Sequence, residues 1–239
     1  EKNNFKVRIS ATTLLLDEAV VSSYTEDVIR HTSLHIEPLQ LQEIDEHGAF
    51  SLTDALAKMP GVDQLSTGPG VSKPVVRGLY GSRVLVLFSG LRFDNQQWQD
   101  EHGMGLSDIG IQKVEVIKGP LSLLYGTGAM GGVVNIIEES APEKGTSETD
   151  VKLTGYTNTG GLTLQGGTKV NRGNKWYRIR GAVTNHADYK DGNHERVLNS
   201  RFNGYYLKGS MGFTKGNWHS VNHYSFSYNN FGFIFNDIT

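Results

Sequence analysis

Residues 114–137 confine the chain more tightly than any other stretch. Two β-branched runs, Val114–Ile117 and Val133–Ile137, flank a segment carrying Gly119, Gly126, Gly128, Gly131 and Gly132. Short Val/Ile runs bounded by glycine turns read as buried strands. The glycines also spell G-x-G-x-x-G over Gly126–Gly131. A dinucleotide fingerprint must follow a strand and open a helix, because the helix N-terminus holds the pyrophosphate. Here the motif precedes a strand, so the glycines predict tight turns and not a nucleotide site. Upstream, Ser51-Leu-Thr-Asp54 predicts a short helix with a serine N-cap and an acid in its first turn, stopped by Pro60-Gly61. Arg83–Phe88 predicts a further buried strand. Together these make a compact α+β domain of about 100 residues.

From Asp150 the texture changes. Alternating segments occupy 150–159, 161–170, 175–186, 202–214 and 217–229. In the third, Tyr177, Ile179, Gly181 and Val183 share one face, and Arg178, Arg180 and Thr184 the other. In the fifth, Trp218, Tyr224, Phe226 and Tyr228 oppose His219, His223 and Ser227. A period of two over strands of about ten residues fits a wall with one face to lipid and one to a lumen. The turns at Asn171–Asn174 and Lys215–Asn217 are short, and the loop Asp188–Arg201 between them is long and polar. Membrane barrels show that parity, with short periplasmic turns and longer extracellular loops. A soluble sandwich would also alternate, but gives no reason for the parity.

These segments carry a resemblance. The stretch Val114–Ile137 is similar to the pattern "VEVIRGPxSxLYGxxAxGGVxNI" of the plug domain of TonB-dependent outer-membrane receptors, with Lys118 in place of arginine. Val75-Val-Arg-Gly78 and Ser51–Val62 match further plug motifs in the family's order. The resemblance implies an α+β plug over 26–145. Antiparallel transmembrane β-barrel strands would follow over 150–239, the first five of about 22 in the family. Five strands cannot close around such a plug, so the expectation is a fragment or trimmed product, in keeping with a start at Glu1 without Met. Residues 5–13 alternate like a strand, and 1–13 would be the end of the upstream β-sandwich extension that some members of the family carry. Leu16, Asp17, Glu18, Ala19, Val20, Val21 and Ser22, within 14–25, resemble the TonB box. A short β-branched stretch of this kind can add its edge to a partner's sheet through backbone hydrogen bonds; an ordinary edge strand is the competing reading.

The resemblance also implies roles for particular residues. Arg77, Glu115 and Lys118 fall where family charges lie between plug and barrel wall. Lysine at 118 replaces a bidentate guanidinium with a point charge. The tract Leu91–Gly103 takes the place of an apical loop reaching the extracellular vestibule, and Asp94, Gln97, Trp98, Asp100, Glu101 and His102 are its candidate ligand contacts. Ser89 stands where the family usually has aspartate. A carboxylate beside an imidazole suits zinc or copper, which singles out His102 and Asp100. Asp191, His194 and Glu195 of the long loop could complete such a site. A free metal ion, a haem or siderophore chelate, an organic substrate such as a vitamin, peptide or glycan, and a loop with no ligand role all remain open.

Composition narrows the classes. A net charge of −2 argues against a nucleic-acid partner, which needs a basic face. Mean hydropathy is −0.36 and no apolar run nears the roughly 20 residues of a membrane helix, which leaves a β-barrel open. There is no cysteine, hence no disulfide framework. Ten tyrosines, ten phenylalanines and 29 glycines suit a strand-rich barrel with interfacial aromatics. No catalytic constellation emerges and no cofactor is required; zinc, copper or an iron chelate would be cargo. The expected partners are the TonB C-terminal domain with its inner-membrane motor, outer-membrane lipid and a surface lipoprotein. The expected location is a Gram-negative outer membrane. The expected activity is TonB-energised import, with a non-transporting signalling or binding receptor as the alternative.

Overall fold

The computed structural model describes residues 36–40, 49–94, 103–232 and 234. Its first sheet orders its strands β1-β6-β7-β4-β5. These are β1 (Ile36–Gln40), β4 (Val84–Phe88), β5 (Leu91–Arg92), β6 (Ile111–Ile117) and β7 (Gly132–Glu138). Among the described residues, β4–β7 is the sheet's one parallel pair. Strands β2 (Val62–Gly68) and β3 (Val71–Val76) form a separate hairpin. The helix α1 (Leu52–Leu56) is capped by Ser51, whose side chain accepts from the Asp54 N–H. It stops at Leu56, before Pro60, and turns through Met59 carry the chain on to Gly61.

The α+β core forms because these apolar runs are buried on both faces. Val114, Val116, Val134 and Ile136 are fully enclosed with Leu52 and Leu56, each contributing on the order of 1.5–3 kcal/mol relative to exposure. The glycine segment closes tightly over it. Gly132 has φ +149°, and a Cβ there would lie 2.8 Å from the Ile117 carbonyl oxygen. The buried Ser122 hydroxyl sits 2.9 Å from Gly119 O and 2.5 Å from Ala129 O, pinning the two ends of the turn together. The G-x-G-x-x-G run therefore enters a strand, and its glycines serve close packing.

The remaining strands form an antiparallel meander: β8 (Ser147–Tyr156), β9 (Gly161–Asn171), β10 (Lys175–His186), β11 (Phe202–Lys215) and β12 (Trp218–Phe231). Tyr177, Ile179, Val183, Leu207, Tyr224 and Phe226 are exposed on one face. Arg178, Thr184, Lys208 and Ser210 are buried on the other, against the α+β domain. The expected alternation of faces holds. One end of the meander has short turns at 172–174 and 216–217; the other has the turn at 157–160 and the long connection 187–201. No helix among the described residues is long and apolar enough to cross a membrane, which says nothing of strands.

Candidate functional site

Strand β7 ends at Glu138, and this acid and the next, Glu139, leave the α+β core and meet the inner face of the meander. Arg178, Ser210 and His223 lie side by side there on β10, β11 and β12, because their registers align. The Glu138 carboxylate is 2.8 Å from Arg178 Nη2, 2.6 Å from His223 Nδ1 and 3.9 Å from Lys208 Nζ. Arg178 also donates to the Glu139 carbonyl and, at 2.9 Å, to Ser210 Oγ. Glu139 pairs with Arg180 at 2.8 Å, and Arg180 bridges onward to Asp150 of β8 at 2.7 Å. Lys208 donates to Ile109 O at 2.9 Å and stands 4.8 Å over the Phe88 ring. Four strands of the meander, β8, β10, β11 and β12, and the end of β7 are thus joined by one charged network.

Burial defines its energetics. The side chains of Arg178 and Glu138 are 2% and 6% exposed. Burial pushes the Glu138 carboxyl up, but the His223 hydrogen bond and the charges of Arg178 and Lys208 together hold it below the usual carboxylate range. Desolvation offsets much of the Coulomb gain of such a pair. The network therefore fixes position strongly while remaining separable without covalent change.

Toward the long-loop end the two parts enclose a cavity of about 260 Å³. Phe50 reaches into it from just before α1 and stacks on Tyr156 at 5.1 Å. His186 stacks on Phe202 at 4.2 Å, and its ring nitrogens bond to Thr159 and Thr184, both at 2.9 Å. Its other walls carry Gln165, Asn203 and Asn229. Neutral hydrogen-bonding groups and aromatic rings dominate, a lining that suits water or a polar solute.

The residues singled out from sequence scatter relative to these features. Glu115 pairs with Lys113 at 2.8 Å and accepts from Asn135 at 3.2 Å. Lys118 donates to the Pro60 carbonyl. Arg77 is exposed, with φ 53° and its backbone N–H on Gly61 O. None of these contacts reaches the meander. Asp94 pairs with Arg92 at 2.6 Å, while Gln97, Trp98, Asp100, Glu101 and His102 lie outside the described residues, as do Leu16–Ser22. In the long loop, Asp191 Oδ1 accepts from the N–H groups of Asn193 and Glu195, both at 2.9 Å. That carboxylate is committed to its own turn, and His194 beside it has φ 64°. Among the described residues no group of three or more histidines or acids could hold a metal ion. Sequence reasoning missed Glu138 and Glu139 as interface residues. The available signal was a pair of acids following a buried strand, with two arginines on the inner face of a later one.

Comparison with known proteins accounts for this architecture. The TonB-dependent receptor plug domain family matches residues 28–133. The vitamin B12 transporter BtuB of Photobacterium profundum is 32% identical over 130 residues, covering 54% of this chain and 22% of that protein. Among solved structures, the copper transporter OprC superposes with TM-score 0.72 at 22% identity, covering 83% of this chain and 31% of its own. The pyoverdine receptor FpvA of Pseudomonas aeruginosa does so with TM-score 0.67 at 18% identity, covering 83% and 28%. This chain therefore spans between about a fifth and a third of the length of these relatives. Residues 28–133 thus match the plug domain of TonB-dependent receptors, and the α+β domain with its meander shares the fold of plug and adjoining wall strands in those structures.

Proposed function

We propose that the receptor carrying this plug imports a scarce ligand across the outer membrane, energised through the TonB complex, with a metal ion, metal chelate or haem as cargo. The observation that supports this reading is an apolar plug core fastened to the wall by a buried charged network. Ligand capture falls to the apical tract Asp94–His102 and the long loop. TonB engages Leu16–Ser22, and traction on that segment rearranges the plug. The relatives include a copper transporter and a pyoverdine receptor, which supports metal-linked cargo. The match to a vitamin B12 transporter supports an organic ligand as the second reading.

Calorimetric titration of the full-length receptor in detergent with zinc and with copper, beside a His102→Ala variant, tests the ligand class. Tight binding lost in the variant is expected of a metal-ion importer. No binding of either ion by the wild type overturns free-metal cargo and moves the reading to a chelate, haem or organic ligand.

A further inference from the structure

Two rows of inward-facing residues cross the meander in register. One runs through Thr154, Thr163, Thr184, Gly204 and Asn229, the next through Lys152, Gln165, Ala182 and Tyr206. Gly204 and Ala182 take up little space, and the wall is hollow around them. A Cβ at position 204 would lie 2.7 Å from Tyr206 Oη and 2.9 Å from Asn229 Oδ1. The tyrosine therefore lies across the glycine, and its hydroxyl donates to Asn229 at 2.5 Å. The plug supplies the opposite side. Phe50 and Ser72 line it, and the segment Gly103–Asp108 runs beside them, its Met104 N–H donating to Ser72 O at 2.9 Å. Between the two layers lies the cavity of about 260 Å³.

We propose that this cavity binds one neutral polyhydroxylated solute of single-ring size, a sugar or a cyclic polyol. A hydroxyl group both donates and accepts, and the side chains here do the same. Thr163 and Thr184 hold their hydroxyls 2.7 Å apart. The Thr154 hydroxyl and the Gln165 amide line the cavity with no protein partner among the described residues. Phe50, Tyr156 and Phe231 stand at the long-loop end, where ring faces can cover the C–H side of a sugar ring. Charge points the same way. Lys152 and Asp108 are the charged residues of the described lining, one of each sign and each already partnered. The lining therefore offers no net charge to a phosphate or carboxylate, whose burial without a partner is costly. The volume lies just under the roughly 300 Å³ at which pockets for drug-sized ligands begin, which limits the occupant to about one ring. Because both layers line the cavity, the occupant bridges plug and wall and stabilises their contact by binding the assembled state. None of this depends on which cargo the receptor takes.

Saturation-transfer NMR titrations of the full-length receptor, in a detergent without a sugar headgroup, test the site with glucose, galactose and myo-inositol as probes. At least one of the three is expected to bind saturably, and its monophosphate about tenfold more weakly or not at all. Gln165→Leu keeps the volume, removes one hydrogen-bonding group and should weaken binding about fivefold. Ala182→Leu fills the hollow, keeps every polar group and should abolish binding. Gln165 is only partly buried, so Gln165→Leu keeps the test open should Ala182→Leu fail to fold. Saturable binding by none of the three probes overturns the proposal. So does binding that either folded variant retains at wild-type strength, or that the monophosphate matches.

Discussion

Glu138 Oε2 lies 2.8 Å from Arg178 Nη2, across a seam from which water is almost wholly excluded. The two residues are separated by 40 positions and sit in different structural layers. The contact is the point at which the plug becomes part of the wall.

Removing Glu138 strands more charge than removing Arg178. Glu138→Met leaves Arg178, Lys208 and His223 facing one another without their shared anion, and should destabilise the fastened plug by about 3–5 kcal/mol. Arg178→Met should cost less, because Lys208 and His223 still face the carboxylate. The double variant should cost less than the sum of the singles, since each single already loses the Glu138–Arg178 contact. A double-mutant cycle on opening free energies from hydrogen exchange gives the numbers.

The acid limb of stability should report Glu138. Its folded carboxyl is held below the usual range, so its contribution is present above the unfolded value and is lost as pH falls through the lowered folded one. Above about pH 5 this group should add no slope. Acid titration of plug unfolding in wild type and Glu138→Gln should show the steeper loss in wild type.

Glycines of the plug turn and of the wall should separate by geometry. Gly132→Ala would force a Cβ to 2.8 Å from Ile117 O at φ +149°, at a cost expected to exceed about 2 kcal/mol. Gly209→Ala on β11 meets nothing within 4 Å and should be nearly neutral. Thermal unfolding of the two variants distinguishes them, and equal losses would remove the close-packing account.

The sequence made the wall legible because a period of two needs no distant partner: Tyr177, Ile179 and Val183 face out, and Arg178 and Thr184 face in. It also made β6 and β7 legible, as uninterrupted Val/Ile runs. Strands β1 and β3 did not stand out, because Pro38 and Pro74 interrupt them. Each tolerates proline in an edge position, β1 at the rim of its sheet and β3 in a two-stranded hairpin. The seam was the least legible part. Charges inside recognisable motifs, Glu115 and Lys118, found contacts within the plug. The network that crosses the seam joins Glu138 to Arg178 and His223, which only the register of three strands brings together.

The most direct test of a TonB-energised receptor is capture of the purified TonB C-terminal domain by the full-length receptor in detergent, with and without residues Asp17–Ser22. The account predicts binding by the intact receptor and its loss on deletion. Equal binding by both proteins, or none by the intact one, would contradict it.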